Sequence, residues 1–306
     1  MELVRQVSTC VGDETALVTA VPDLTLYRHI GPSTPDAVAY EPSLAVVVQG
    51  RKRVDLGDAT FVYDQSQFLL TSLDLPVTSQ VVEASPASPY LCMRLRIQIP
   101  MVRELLGHGE CHDESQPLDV PAMVTGTSTP ELLDAFRRLL DLAACPQDAP
   151  YLGGLVVREI LYRILKTPEG RCLRAIATLG DHSERTAKAV DWIKENYDEP
   201  LRVNDLARMA GMGVSTLHRH FRALTALSPL QYQKQLRLHA ARRRMLMEGL
   251  DAASAAYAVG YESPSQFNRE YARFFGQPPM RDVRTHLSSG PGAPHSVDTA
   301  DVAASE

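Results

Sequence analysis

The sequence predicts an α+β chain: an N-terminal β-barrel with a helical hairpin, then an all-α domain of two helix-turn-helix units joined by a long helix. Three observations predict this. Short apolar segments with strand-like alternation crowd residues 24–99, a helical apolar period takes over after Pro100, and one helical pattern occurs twice between Glu184 and His286.

The 306 residues allow two domains, each with its own core. No apolar run reaches the roughly 18 residues of a membrane span, and no basic-then-apolar leader opens the chain, which predicts a cytoplasmic protein with no membrane partner. The five cysteines are scattered, odd in number and without a CxxC pair, so they point to reduced thiols. A net charge of −6 hides an asymmetry: residues 184–286 hold 16 Lys/Arg against 11 Asp/Glu, net +5, which leaves the remainder at −11. Only the C-terminal part suits a polyanion.

Residues 1–20 give little periodic signal. Strands are predicted at Leu24 to Ile30 and Leu44 to Gln49, then, after Gly50, at Arg51 to Leu56. Further strands are expected at Thr60 to Tyr63, Gln67 to Ser72 and Val77 to Glu83, and the clearest is Leu91 to Ile99, with apolar residues at every second position. So many short strands leave no room for crossover helices, which favours a barrel or sandwich with space for one ligand. Gln49, Lys52, Arg53, Tyr63 and Ser72, polar groups on or beside these strands, are the candidate effector contacts. Lys52 and Arg53 equally suit an edge strand, where charge discourages pairing with another chain.

After Pro100 the period is helical. A short helix is expected over Met101 to Leu106 and a longer one over Pro130 to Ala144, with Thr129 at its cap and Pro130 at its first position. Leu152 to Leu165 completes a hairpin that suits either dimerisation or packing on the sheet. Thr167 to Gly170 ends the first domain, set at residues 1–170. Residues 171–184 read as a linker, 185–287 as the second domain and 288–306 as a disordered tail.

Seven helices are predicted in the second domain: Arg185 to Asn196, Val203 to Ala210, Val214 to Leu224, Pro229 to Met247, Ala252 to Val259, Pro264 to Phe275, and one from Pro279. The third and sixth follow glycine turns at Gly211 and Gly260. That layout lets the second helix of each unit enter a DNA major groove. A 19-residue spacer helix covers roughly 28 Å, close to the roughly 34 Å of one DNA turn, so both units can face one side of the duplex. With Leu217 and Phe221 buried in the first reading helix, and Phe267, Tyr271 and Phe274 in the second, two polar sets remain for DNA. They are Ser215, Thr216, His218, Arg219 and Arg222, then Ser265, Gln266, Asn268, Arg269 and Arg273. His218 and His220 should point to different sides of their helix, so they form no metal pair.

The second domain resembles the DNA-binding domain of the AraC/XylS transcriptional regulators. The resemblance rests on Ser228-Pro229 with Tyr232, Leu236-Arg237 with Ala241-Arg242, Val259 to Ser263, Phe267 with Arg269, and Phe275-Gly276 with Pro279. Gly213 departs from it, standing where the family usually caps the reading helix with serine. The first domain is similar to the cupin-like N-terminal domain of one AraC-type branch, through Pro42 to Lys52, Tyr63-Asp64 and Ser72 to Val77. The resemblance implies an activator that binds double-stranded promoter DNA as a homodimer, works with RNA polymerase, and answers to an unknown small-molecule effector. It implies no cofactor and no catalysis. A metal-dependent cupin enzyme is the alternative, but between Leu24 and Ile99 the sequence offers one histidine, His29, where such a site needs two or three. A DNA-alkylation repair regulator needs four grouped cysteines, which are missing.

Overall fold

The computed structural model describes residues 2–107, 120–178 and 182–288. Helix α1 (Glu2–Val11) precedes nine strands: β1 (Ala16–Val18), β2 (Leu24–His29), β3 (Asp36–Tyr40), β4 (Ser43–Gln49), β5 (Arg51–Leu56), β6 (Ala59–Asp64), β7 (Gln67–Thr71), β8 (Leu75–Glu83) and β9 (Tyr90–Arg96). After helix α2 (Ile99–Gly107) the last strand is β10 (Met123–Thr127), followed by the hairpin of α3 (Pro130–Ala143) and α4 (Ala149–Leu165). The strands make a six-stranded sheet, β1-β2-β9-β4-β7-β10, and a four-stranded sheet, β3-β8-β5-β6. All the pairings are antiparallel.

Alternation decides which residues look inward. On β5, Lys52, Val54 and Leu56 turn in while Arg51 and Arg53 are exposed. On β9, Leu91, Met93 and Leu95 are fully buried, and Cys92 and Arg94 occupy the opposite face. The predicted strand through Ile99 stops at Arg96, because Ile99 and Pro100 already begin α2. Five elements escaped sequence reading. Among them β3 is only Asp-Ala-Val-Ala-Tyr between Pro35 and Pro42, too short and too rich in small side chains to stand out.

Residues 171–177, expected to be part of a linker, form helix α5 (Arg171–Ala177), with Cys172 through Ala177 buried. It packs against α2 and against α6 (His182–Glu195). Then come α7 (Val203–Met209), α8 (Val214–Thr225), α9 (Pro229–Met247), α10 (Ala252–Ala258), α11 (Pro264–Phe275) and α12 (Pro279–Ser288). The tail from residue 289, and Cys111, lie outside the described residues.

The two helix-turn-helix units are tethered differently. One continuous apolar core runs from the barrel into the first unit, through Val190, Leu206, Leu217, Phe221 and Tyr232. Polar bonds reinforce the joint: the Tyr232 hydroxyl donates to the Asp74 carbonyl at 2.7 Å, Lys194 pairs with the Asp74 carboxylate at 2.8 Å, and the Ala122 amide donates to the Leu224 carbonyl at 3.0 Å. The second unit has its own core, around Leu238, Met245, Val259, Phe267 and Tyr271. It meets β3 through charge: Arg242 of α9 pairs with Asp36 at 2.6 Å and with Asp282 of α12 at 2.9 Å.

Arg237 braces the units to each other. Its guanidinium donates to the carbonyls of Tyr197, Asp198, Glu199 and Gly260, at 2.6–3.1 Å. Gly260 has φ +84°, and a Cβ there would collide with the Asp198 carbonyl. Gly260→Ala therefore combines left-handed strain with a backbone clash, and should destabilise the chain by about 2–4 kcal/mol in denaturant titration. An unchanged midpoint would show that the α6–α7 loop yields.

Candidate nucleic-acid interface and cavity

In each unit an apolar pair anchors the second helix and leaves the other face to solvent. Leu217 and Phe221 of α8 are fully buried, as are Phe267 and Tyr271 of α11. Phe274, expected in the core, is half-buried, with its ring edge-on to His239 and Phe275 at 5.3 and 4.9 Å. Of the first polar set, Ser215, His218, Arg219 and Arg222 are exposed and Thr216 is half-buried; in the second, Ser265, Gln266, Asn268, Arg269 and Arg273 are all exposed. His220 is buried and stacks on His182 with ring centroids 4.7 Å apart, so His218 and His220 occupy opposite sides of α8. Gln266 donates to Glu270 at 3.3 Å, and Glu270 is also held by Lys234 and the Tyr261 hydroxyl.

Helices α8 and α11 start differently. Ser263 caps α11 by accepting from the Gln266 amide at 3.3 Å, whereas Gly213 leaves α8 without a side-chain cap. Gly213 has φ −71° and ψ 148°, which serine adopts freely, and a Cβ there finds nothing closer than 3.8 Å. Gly213→Ser should thus stabilise the chain by a few tenths of a kcal/mol, roughly the known difference between these caps. Urea titration reads it, and a lowered midpoint would contradict it.

Between the two sheets lies a cavity of about 100 Å³. Lys52 and Tyr63 line it. Gln49, Arg53 and Ser72 do not: Gln49 holds the end of the sheet by donating to the Pro89 carbonyl at 2.8 Å, and Arg53 sits on the outer face of β5 against Asp55. Ser72 is buried, and its hydroxyl donates to the Ala122 carbonyl at 3.2 Å. The wall also contains residues that sequence reading missed, among them His29, Asp36, Tyr40, Tyr90, Cys92 and Arg94. The signal for Cys92 and Arg94 was present, since they are the polar half of the β9 alternation. Asp36 and Tyr40 were lost along with β3.

Burial shapes the protonation of this wall. It pushes His29 down to about 4, with Lys52 adding to the effect, so the imidazole is neutral near pH 7. Burial also raises the phenols of Tyr63 and Tyr90 well above their ordinary values and lifts the Cys92 thiol. Among the described residues no three His, Cys, Asp or Glu side chains are placed to hold a metal, and no helix is long and apolar enough to cross a membrane.

The AraC-type transcriptional regulator N-terminus family matches residues 20–172, and a helix-turn-helix domain family matches residues 206–285. The transcriptional activator RhaS of Yersinia pestis is 32% identical over 158 residues, which is 50% of this chain and 56% of RhaS. The chain thus spans little more than half the length of that relative. The transcriptional regulator ExsA of Pseudomonas aeruginosa is 25% identical over 244 residues, 79% of this chain and 85% of ExsA. In fold, fatty-acid-bound ToxT from Vibrio cholerae superposes with a TM-score of 0.56 at 12% identity, over 88% of this chain and 94% of ToxT. With the N-terminal family matched over half the chain and the helix-turn-helix family over the two tandem units, the protein belongs to the AraC-type transcriptional regulators.

Proposed function

We propose that this chain is a sequence-specific DNA-binding activator of transcription whose barrel senses a small molecule and thereby controls the grip of the two helix-turn-helix units on promoter DNA. The observation that carries the reading is the pair of exposed polar faces on α8 and α11, with Arg219 and Arg269 at matching places in units joined by the 19-residue α9. The cavity supports the sensing part. ToxT, which shares the fold, has been crystallised with an unsaturated fatty acid. In this reading the protein works in the cytoplasm with RNA polymerase, and as a homodimer. Tyr151, Leu155 and Tyr162, exposed on one side of α4, support dimerisation.

Footprinting on genomic fragments selected by the full chain tests the proposal. Two protected segments about one helical turn apart are expected per protomer, with affinity falling steeply as salt rises. Selection of no sequence above random DNA would end it.

A further inference from the structure

The cavity between the sheets contains a positive charge, Lys52, that no carboxylate pairs with among the described residues. Lys52 extends from the inner face of β5, its ammonium 5.4 Å from the centre of the Tyr40 ring and 6.0 Å from that of Tyr90. The side chain is half-buried and lines the cavity. Burial works against its charge, Tyr40 favours it and shares a hydrogen bond with it, Cys92 also favours it, and Arg94 opposes it; no carboxylate is among these groups. Asp36 is the carboxylate on the cavity wall, and it is engaged elsewhere, 2.6 Å from Arg242. Arg94 lies on the same wall, its guanidinium 5.4 Å from the centre of the Tyr27 ring. His29 brings no charge near neutral pH.

A half-buried ammonium without an anion carries a desolvation cost, and aromatic faces offset only part of it. Natural cores avoid the arrangement unless something binds there. The rest of the wall indicates what kind of molecule fits: Val38, Leu69 and Val81 supply apolar surface, and the hydroxyls of Ser43, Thr71 and Ser79 supply a few polar contacts. About 100 Å³ is somewhat less than the roughly 150 Å³ of a cavity known to hold benzene, which limits the occupant to about one ring or a short chain.

We propose that the cavity binds a small organic anion, a carboxylate or equivalent monoanion on a one-ring or short-chain body, with its charged end on Lys52. This rests on reading the barrel as the effector sensor. The ammonium gives the anion a charge-assisted hydrogen bond in a site with little competing water, and a neutral ligand of the same shape would leave the charge as it was. Because Asp36 lines the same cavity and grips Arg242, an occupant sits beside the contact that positions the second helix-turn-helix unit.

Calorimetry on the full chain with four probes tests this: benzoate and hexanoate, and their neutral isosteres benzamide and hexanamide. At least one carboxylate is expected to bind roughly ten- to a hundredfold more tightly than its amide, and Lys52→Met should remove that preference. A second readout needs no ligand. Met fills the space of Lys52 and removes an uncompensated charge, so unliganded Lys52→Met should melt at or above the wild-type temperature. Equal affinity for acids and amides, no binding of either carboxylate, or a clear drop in melting temperature for Lys52→Met would each overturn the proposal. Promoter footprinting of the unliganded chain separates the two ideas. Its failure ends the regulatory reading whatever the cavity binds, whereas a cavity indifferent to carboxylates leaves that reading standing.

Discussion

Arg242→Ala is expected to destabilise the chain by about 3–5 kcal/mol and to split its thermal unfolding into separate steps. Arg242 is 8% exposed, and its guanidinium is the cation of a compact cluster that joins α9, β3, α11 and α12. It reaches Asp36 on β3 and Asp282 on α12, and its Nη2 lies 2.7 Å from His286 Nε2. His286 fits as the neutral tautomer, with Nδ1 donating to the Asp282 carbonyl at 2.9 Å and Nε2 accepting from Arg242. The Tyr271 hydroxyl donates to the same Asp282 carboxylate at 2.7 Å, and the Arg242 guanidinium lies 4.6 Å from the centre of the Phe275 ring. Burial works against the charge on Arg242, yet the nearby carboxylates, Asp36 foremost, raise its pKa above the ordinary value. Removing it takes the cation from two carboxylates at once and leaves Asp282 with the Tyr271 hydroxyl. The loss should fall on the second unit, which has its own apolar core, while the first unit shares the core of the barrel. Asp36→Ala cuts only the barrel side and leaves the Arg242–Asp282 pair intact, so its cost should be smaller and its signature mainly the separation of melting steps. Scanning calorimetry reads both variants; a single wild-type-like transition for Arg242→Ala would mean that other contacts hold the second unit.

The helical half was legible because periodicity, caps and turn glycines agree there. Pro229 to Met247 and Pro264 to Phe275 end where the sequence placed them, each opened by serine and proline, with Ser228 and Ser263 accepting from the amides three residues on. The exposed polar faces of α8 and α11 follow from the burial of Leu217, Phe221, Phe267 and Tyr271. The barrel was legible as strands but not as a site. Lys52 and Arg53 are adjacent and alike in composition, and only the inward turn of one and the outward turn of the other separates them, a matter of register that the sequence leaves open. Long-range partners were equally hidden. Nothing local marks Ser72 as a partner of Ala122, or Asp36 as a partner of Arg242, 206 positions away.

Arg219→Ala and Arg269→Ala should each weaken the specific promoter complex by about 1–3 kcal/mol, roughly 5- to 150-fold, with each loss confined to one half of the footprint. Both side chains are exposed at the same place in their helices, two residues beyond the first buried anchor, Leu217 in α8 and Phe267 in α11. That position faces a groove when the anchors face the core. The two are not equally free, since Arg219 Nη2 lies 3.2 Å from His220 Nε2 and its fork is partly oriented before DNA arrives. Less conformational freedom is then lost on binding, so Arg219→Ala should have the larger effect. Sequence dependence distinguishes the kind of contact. A guanidinium that reads a base weakens the cognate site far more than random DNA. One that grips phosphate weakens both alike and lowers the salt slope by about one. The proposed function puts the two helices on different half-sites, so the double variant should show the sum of the single effects to within about 0.5 kcal/mol. Mobility-shift titrations across a salt series measure all of this. If both single variants bind the promoter as tightly as wild type at every salt concentration, the exposed faces of α8 and α11 are not the reading surface.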